Sequence, residues 1–134
     1  MSERTLTGQC LCGAVAYEVA DAFEYALICH CSQCRRATGS AFKPFGGIRQ
    51  ERLEVVRGAD RLLRYGDGED YDQHCACCGS LLFSVVRGGA YVHVTYGTLM
   101  DAPTRHPSAH IFAGSKADWD IIADGLPQFD GLPD

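Results

Sequence analysis

The chain has 134 residues, of which 46% are hydrophobic and 22% are charged, and its formal net charge is −5. This is the composition of one globular domain that does not need a metal ion merely because it is small. The acidic balance argues against a domain that reads duplex DNA or RNA, and no window approaches the roughly 20 apolar residues of a membrane-spanning helix.

The eight cysteines are the most informative part of the composition. Residues 1–7 contain neither an apolar run nor a small-residue cleavage pattern, so we expect no signal or transit peptide and a cytoplasmic location. Thiols in a reducing compartment are more often metal ligands or catalysts than disulfides. The adjacent Cys77 and Cys78, and the closely spaced Cys10 and Cys12, would also make a poor disulfide framework.

Cys10 and Cys12 precede the first predicted strand, at 14–19, in which apolar residues alternate with smaller or polar ones. Residues i and i+2 of an extended segment face the same side, so we expect both sulfurs to reach one ion. Gly13 then allows the backbone to turn away.

The central cluster begins at the end of a second predicted strand, at 25–29, and places three thiols within six residues. Cys29 and Cys31 are expected to project together. His30 would then face the opposite side, where its ring packs or hydrogen-bonds behind the cluster; direct ligation is the alternative.

A short helical turn is predicted after the cluster. Ser32 is expected to cap this turn, which carries Cys34 with Arg35 and Arg36, and Gly39 is expected to end it. In this arrangement the three sulfurs converge and the peptide N–H groups of the turn point towards them.

The middle of the chain has the rhythm of an all-β domain, with short aromatic and branched runs between glycine-containing turns. Gly46 and Gly47 indicate a bulge, a close approach of a ligand to the backbone, or a plain hairpin loop. His93 has apolar neighbours on both sides and is expected to be a core or edge histidine. Strands are predicted at 41–48, 53–56, 62–65, 81–86 and 91–96, and residues 71–74 lead into the last cysteines.

The C-terminal region is predicted to hold a short strand at 110–112 and then a short helix. Residues 115–118 have the form of a capping box, and the helix would continue through 119–122 until Gly125 and Pro127 stop it. The remaining tail is expected to lie along the surface. With no repeat and no long linker, residues 1–134 are interpreted as a single, mainly β domain.

Two groupings of the cysteines compete. In the first, a closed site of four thiols leaves a second site of three; in the second, all clusters share one ion and the surplus thiols are spectators. Six residues cannot easily wrap a third pair around an ion that already holds four sulfurs, which favours the first grouping. Its closed set is Cys10, Cys12, Cys75 and Cys78, and its open set is Cys29, Cys31 and Cys34.

The two sets are expected to bind ions with different functions. Cys12 and Cys75 are separated by 62 residues, so an ion held by the closed set joins the beginning of the domain to its middle and has no open position. Three thiolates leave a fourth position for water or a substrate thiol, which is the pattern of catalytic zinc. Cys77 could replace a neighbour in the closed set or complete the open one; more often such a cysteine is a small buried residue.

Four segments resemble the glutathione-dependent formaldehyde-activating enzyme family, which also includes centromere-protein-V-like proteins. They are GQCLCGAVAY at 8–17, CHCSQCRRATG at 29–39, CACCGS at 75–80, and HIF with SKADW within 110–119. The match runs from about residue 8 to 129, nearly the whole chain. The resemblance implies a zinc-clipped β-tent fold of several small curled antiparallel sheets, with the short C-terminal helix.

The resemblance also implies a carbon–sulfur lyase that reversibly combines glutathione with formaldehyde, or a similar small aldehyde, as the S-hydroxymethyl adduct. Two zinc ions would be bound, one structural and one catalytic, by the closed and open sets named above; Cys77 departs from the family's usual spacer. Glutathione is anionic, so its pocket needs cations. The candidates, by their closeness in sequence to the open set, are Arg35, Arg36, Lys43 and Arg49.

The partners expected on this interpretation are a small-molecule thiol and an aldehyde, without nucleic acid or membrane. The sequence is compatible with a homo-oligomer. The alternative function is a non-catalytic zinc module that mediates protein or chromatin interaction, as in the centromeric branch of the family; the net charge of −5 argues against DNA.

Overall fold

Two β-sheets and one α-helix make up the regular structure of residues 4–133, the part of the chain that the computed structural model describes. The mainly β prediction is thereby confirmed. The strands are β1 (Thr5–Gln9), β2 (Ala16–Ala20), β3 (Tyr25–Cys29), β4 (Lys43–Arg49), β5 (Leu53–Arg57), β6 (Leu62–Tyr65), β7 (Tyr71–Cys75), β8 (Leu81–Val86), β9 (Tyr91–Thr95) and β10 (His110–Ile111). The helix, α1, spans Ser32–Thr38, and 3-10 turns span Gln50–Arg52, Ala59–Arg61, Arg87–Gly89, Tyr96–Thr98 and Ala113–Ser115.

The first sheet has the strand order β1-β2-β5, and the second has the order β10-β3-β4-β9-β8-β7-β6. Neighbouring strands are antiparallel except β10, which pairs parallel with β3. Strand β1 was not predicted. Among residues 4–133, no helix is long and apolar enough to cross a membrane.

The main core lies between the two sheets. Leu6 and Val19 from the first sheet share one buried cluster with Val85, Val92 and Val94 from the second. Val92 and Val94 flank His93 in β9, and Val85 follows Ser84 in β8, so His93 and Ser84 face away from the main core. The outer face of the sheet therefore carries polar side chains that a site could use.

On that outer face, six paired residues cross the sheet from β3 to β6. Among them, the ring of Tyr25 packs directly on Gly47, where a Cβ atom would lie 2.2 Å from the ring. The two glycines at 46 and 47 thus lie inside β4 and make room for aromatic rings, and they form neither a bulge nor a hairpin loop. The six residues of this line are Tyr25, Gly47, His93, Ser84, Asp72 and Tyr65.

Helix α1 begins one residue earlier than predicted. Cys31 is the N-cap and its sulfur accepts a hydrogen bond from the N–H of Cys34 at 3.2 Å, so Ser32 is the first helical residue and not the cap. Gly39 ends the helix as predicted, because its φ of 63° places it in the left-handed region that glycine adopts without strain.

The prediction that Cys10 and Cys12 lie on extended chain is wrong. They lie in a tight turn between β1 and β2, closed by a hydrogen bond of 3.1 Å from the N–H of Gly13 to the carbonyl of Cys10. Gly13 has a φ of 80°, so it provides the change of direction that was expected of it. The turn, and not strand alternation, brings the two sulfurs together.

The predicted C-terminal helix is absent from residues 113–133, where the structure has one 3-10 turn, Ala113–Ser115, and irregular chain. Just before the predicted helix, the chain pairs with the tail: the N–H of Ala113 donates to the carbonyl of Phe129, and the N–H of Phe129 donates to the carbonyl of His110. Within the segment itself, Asp118, Trp119 and Ile121 have low helix propensity, so little is lost when no helix forms. The tail is therefore tied to β10.

Candidate functional site

The structure brings the four sulfurs of the closed set together. Each lies within 4.8 Å of the others, although their segments are far apart in sequence. Cys10 and Cys12 come from the β1–β2 turn, Cys75 ends β7, and Cys78 lies in the turn before β8. The eight cysteines are all free thiols, so no disulfide competes for these positions.

The spacing of the closed set suits a tetrahedral zinc ion. Sulfurs at about 2.3 Å from such an ion are separated by about 3.8 Å. The distances Cys10 to Cys12 and Cys12 to Cys75 are both 3.8 Å. Backbone N–H groups also donate to the sulfurs, from Val15 to Cys10 and from Cys77 to Cys75, each at 3.3 Å. Such donors stabilise thiolates.

The protonation of the closed set is uneven. A hydrogen bond from the Ser80 hydroxyl, at 3.3 Å, lowers the pKa of Cys78 to about 5. Burial raises the pKa of Cys75, because its sulfur is removed from water. Although burial opposes it, the hydrogen bond from the N–H of Val15 helps to lower the pKa of Cys10 as well. Two thiolates are therefore favoured, and their negative charge opposes deprotonation of the other two thiols. A cation at the centre removes that opposition, which is the electrostatic reason that four clustered thiols suit a metal ion.

The open set is also assembled. The sulfurs of Cys29, Cys31 and Cys34 lie within 4.8 Å of one another, at the end of β3 and the start of α1. Cys29 is buried, whereas Cys31 and Cys34 are partly exposed. No other His, Cys, Asp or Glu of residues 4–133 belongs to this group. The three sulfurs can hold an ion on one side and leave the other side to a ligand.

Two thiols of the open set share a hydrogen bond that shifts their pKa values in opposite directions. A hydrogen bond with the Cys34 thiol lowers the pKa of Cys29, although burial opposes this. The same hydrogen bond, with burial, raises the pKa of Cys34. Of these two, Cys29 therefore becomes a thiolate first.

His30 lies behind the open set, as predicted, and is not in contact range as a ligand. Its Nε2 shares a hydrogen bond of 2.8 Å with Nδ1 of His110, and Nε2 of His110 lies 2.9 Å from a carboxylate oxygen of Asp124. His30 is fully buried, and burial lowers its pKa. This chain of rings fixes the backbone between Cys29 and Cys31 from the side away from the sulfurs.

A cleft of about 520 Å³ lies between α1 and the edge of the seven-stranded sheet. The three sulfurs of the open set do not line it, but Gln33, which does, is adjacent to Cys34 in α1. The cleft is therefore next to the open set and large enough for a small peptide-like molecule. Its lining is Gln33, Arg36 and Ala37 from the helix and Tyr65, Asp72 and His74 from the sheet.

The four predicted cations lie in different places. Arg36 is exposed and lines the cleft, whereas Arg35 lies on the opposite side of α1, where its charge helps to lower the pKa of His30. Lys43 is buried on β4 beside the open set. Arg49 lies at the other end of β4, over the ring of Tyr91, and is not brought to the site.

Cys77 stays outside both sets. It is exposed, and its sulfur accepts a hydrogen bond of 3.3 Å from the guanidinium of Arg61. It is therefore not the small buried residue that was the commoner expectation.

Sequence reasoning did not identify the polar groups of the outer face. The Nζ of Lys43 donates to Ser84 Oγ at 3.0 Å, and Ser84 Oγ donates to Asp72 at 2.6 Å. The hydroxyl of Tyr25 shares a hydrogen bond of 2.7 Å with His93. Burial lowers the pKa of His93 to about 3, so the ring is neutral. The residue is half-buried and its ring is hydrogen-bonded, in agreement with its prediction as a core or edge histidine. Strand pairing joins these residues, which are scattered along the sequence.

Comparison with known proteins agrees with the geometry. The family model described as glutathione-dependent formaldehyde-activating enzyme matches residues 5–115. Among solved structures, a Rhodobacter sphaeroides protein determined as a structural genomics target is 31% identical, with a TM-score of 0.60, and the alignment covers 74% of this chain and 92% of that one. No curated protein matches the chain. The chain belongs to the glutathione-dependent formaldehyde-activating enzyme family.

Proposed function

We propose that the protein is a zinc-dependent carbon–sulfur lyase that reversibly combines glutathione with formaldehyde, or a similar small aldehyde, to give the S-hydroxymethyl adduct. The observation that carries the proposal is a set of three sulfurs beside a separate and complete set of four. A protein that needed zinc only for folding would have no use for the incomplete set. Family membership supports the same reaction.

In this proposal the closed set, which contains Cys10 and Cys75, holds a structural zinc ion. The open set, which contains Cys29, holds a second ion whose fourth position is free for the sulfur of glutathione. That zinc, when bound, acts as a Lewis acid that keeps a thiol deprotonated near neutral pH. The reducing cytoplasm, our proposed location, would keep the eight thiols free.

The residues around the open set would orient the reactants. The cleft would take the peptide, with Arg36 facing a carboxylate and Asp72 facing the amino group of glutathione. The sulfur would then reach the three cysteines across the first turn of α1. Holding a thiolate and an aldehyde at reacting distance accounts for much of the rate gain that such a site can produce.

The function is tested by measuring formation of the glutathione–formaldehyde adduct with protein that carries two zinc ions. We expect adduct formation above the spontaneous rate, and the same protein should accelerate the reverse reaction. Two bound ions without acceleration for any pair of thiol and aldehyde would contradict the enzyme and favour the non-catalytic zinc module. A series of thiols and of aldehydes identifies the true substrates.

Arg36→Gln is expected to raise the KM for glutathione by about fivefold, because one exposed ion pair with a carboxylate contributes on the order of 1 kcal/mol. The kcat should change little, because Arg36 lies in the cleft and away from the sulfurs. Arg35→Gln is the matched control: it removes the same charge from the neighbouring residue, on the other side of the helix. Steady-state kinetics that give equal KM values for the two variants would exclude this cleft as the glutathione site.

A further inference from the structure

The ammonium group of Lys43 is buried without a partner of opposite charge. The residue is 5% exposed, and its Nζ has one hydrogen-bond partner within residues 4–133, the Oγ of Ser84 at 3.0 Å. No carboxylate of the described chain lies within ion-pair distance of it. An ammonium has three N–H donors, and burying it with donors unused is strongly unfavourable unless another group uses them.

The position of Lys43 indicates which group that is. In the antiparallel pairing of β3 with β4, Lys43 is directly opposite Cys29, so both side chains lie on the same face of the sheet. The Nζ also lies 5.9 Å from the centre of the Phe45 ring, which packs with Cys29 in one buried cluster. The Lys43 side chain therefore starts beside Cys29 and extends over the outer face of the sheet to Ser84. Its ammonium lies between the open set and Asp72, which lines the cleft.

The other contacts of Lys43 orient it and leave its charge in place. Ser84 accepts from Lys43 and donates to Asp72 at 2.6 Å, so the Asp72 carboxylate partly offsets the charge of the ammonium but accepts none of its N–H groups. His93, in the next strand, is neutral because burial lowers its pKa to about 3, and the Lys43 charge adds to this effect. The ammonium therefore keeps N–H donors that no residue of the described chain uses.

We propose that the Lys43 ammonium is the oxyanion-binding group of the site: it donates to the negative oxygen that forms on the carbonyl carbon when a thiolate adds to it. The inference rests on the proposed function for the identity of the reaction. The sulfur lone pair forms the new S–C bond while the π pair of the C=O bond moves to oxygen. The oxygen becomes an alkoxide and then takes a proton from water, which replaces the proton that the thiol released to solvent.

The first test is a binding measurement that does not depend on turnover. Calorimetry on the zinc-loaded protein compares mercaptoacetate, a thiol with an anionic oxygen near its sulfur, with 2-mercaptoethanol, which has a neutral oxygen. We expect the wild type to bind mercaptoacetate at least tenfold more tightly and Lys43→Met to lose this preference. Arg49→Met removes the same charge from the far end of β4 and should keep it. A wild type without the preference would overturn the proposal, even if the enzyme is active.

The second test separates the alkoxide from a carboxylate of glutathione as the oxygen that Lys43 binds. In Lys43→Met, kcat for addition to formaldehyde should fall about 10²-fold or more, the effect of removing one oxyanion donor, with an unchanged KM for glutathione. Alkylation of bound glutathione by iodoacetamide forms no alkoxide and should not slow. An unchanged kcat with a raised KM for glutathione, and not for 2-mercaptoethanol, would assign Lys43 to the peptide carboxylate and refute the alkoxide.

Thermal unfolding of each variant shows whether it folds. If Lys43→Met does not, Lys43→Gln keeps an N–H donor without the charge and allows the same two comparisons. A wild type that shows the mercaptoacetate preference but no lyase activity would contradict the proposed function alone. An active wild type whose kcat is matched by both Lys43 variants would contradict the oxyanion role alone.

Discussion

Cys75→Ser is expected to leave the protein largely unfolded at room temperature. Cys75 is fully buried at the end of β7, and its sulfur lies 3.8 Å from that of Cys12. Cys12 lies in the turn that connects β1 and β2 of the other sheet. A filled four-thiolate zinc site stabilises a fold by on the order of 10 kcal/mol, which is comparable to the whole stability of a typical domain. Serine is a poor zinc ligand, so most of that contribution is lost.

Circular dichroism and urea unfolding, with zinc content measured on the same samples, check this result. Cys77→Ser is the matched control, because Cys77 lies two residues away but is exposed and outside both sets. We expect it to retain both ions and the stability of the wild type. A folded Cys75→Ser protein that still carries two ions would refute the structural role of the closed set. Unfolding of Cys77→Ser would show that the closed set has been assigned to the wrong thiols.

Cys31→Ser is expected to lower the rate of adduct formation by at least about 10²-fold and to leave the fold intact. Loss of a ligand from the open set removes the second ion, whereas the closed set is untouched. The variant is conservative for α1, because Cys31 is the N-cap that accepts from the N–H of Cys34, and serine is among the best N-cap residues. Helix stability should therefore change by less than about 1 kcal/mol.

For Cys31→Ser we expect one zinc ion per chain, the circular dichroism spectrum of the wild type and no adduct formation. Ser32→Ala tests the neighbouring residue, which is neither the cap nor a ligand, and should keep both ions and the activity. Retained activity in Cys31→Ser would place the chemistry elsewhere. A variant that unfolds would show that the open set also holds the fold together.

Local sequence patterns predicted most of the strands. Aromatic and branched runs of four to six residues, such as those of β3, β6 and β8, have the bounds that their patterns predicted. The sulfurs that spacing assigned to each set also lie within 4.8 Å of one another, and close spacing in the chain accounts for neighbours such as Cys10 with Cys12. These are local properties of the chain.

The errors come from long-range contacts. The capping-box pattern at 115–118 is a true local signal for a helix, but the chain there forms only the 3-10 turn Ala113–Ser115 and irregular structure, beside residues 110 and 113 that pair with the tail. The contact of Lys43 with Ser84, and of Ser84 with Asp72, depends on the strand order β4-β9-β8-β7, in which β4 is far in sequence from the other three strands. Nothing in the residues around Lys43 indicates that its ammonium is buried.

The most direct test of the account is anomalous scattering at the zinc edge from crystals of the fully loaded protein with glutathione. We predict two ions per chain. One should be surrounded by the sulfurs of the closed set, and the other by the three sulfurs of the open set and the sulfur of glutathione. A single ion, or a side chain of the protein as the fourth ligand of the second ion, would contradict the division of duties between the two sets.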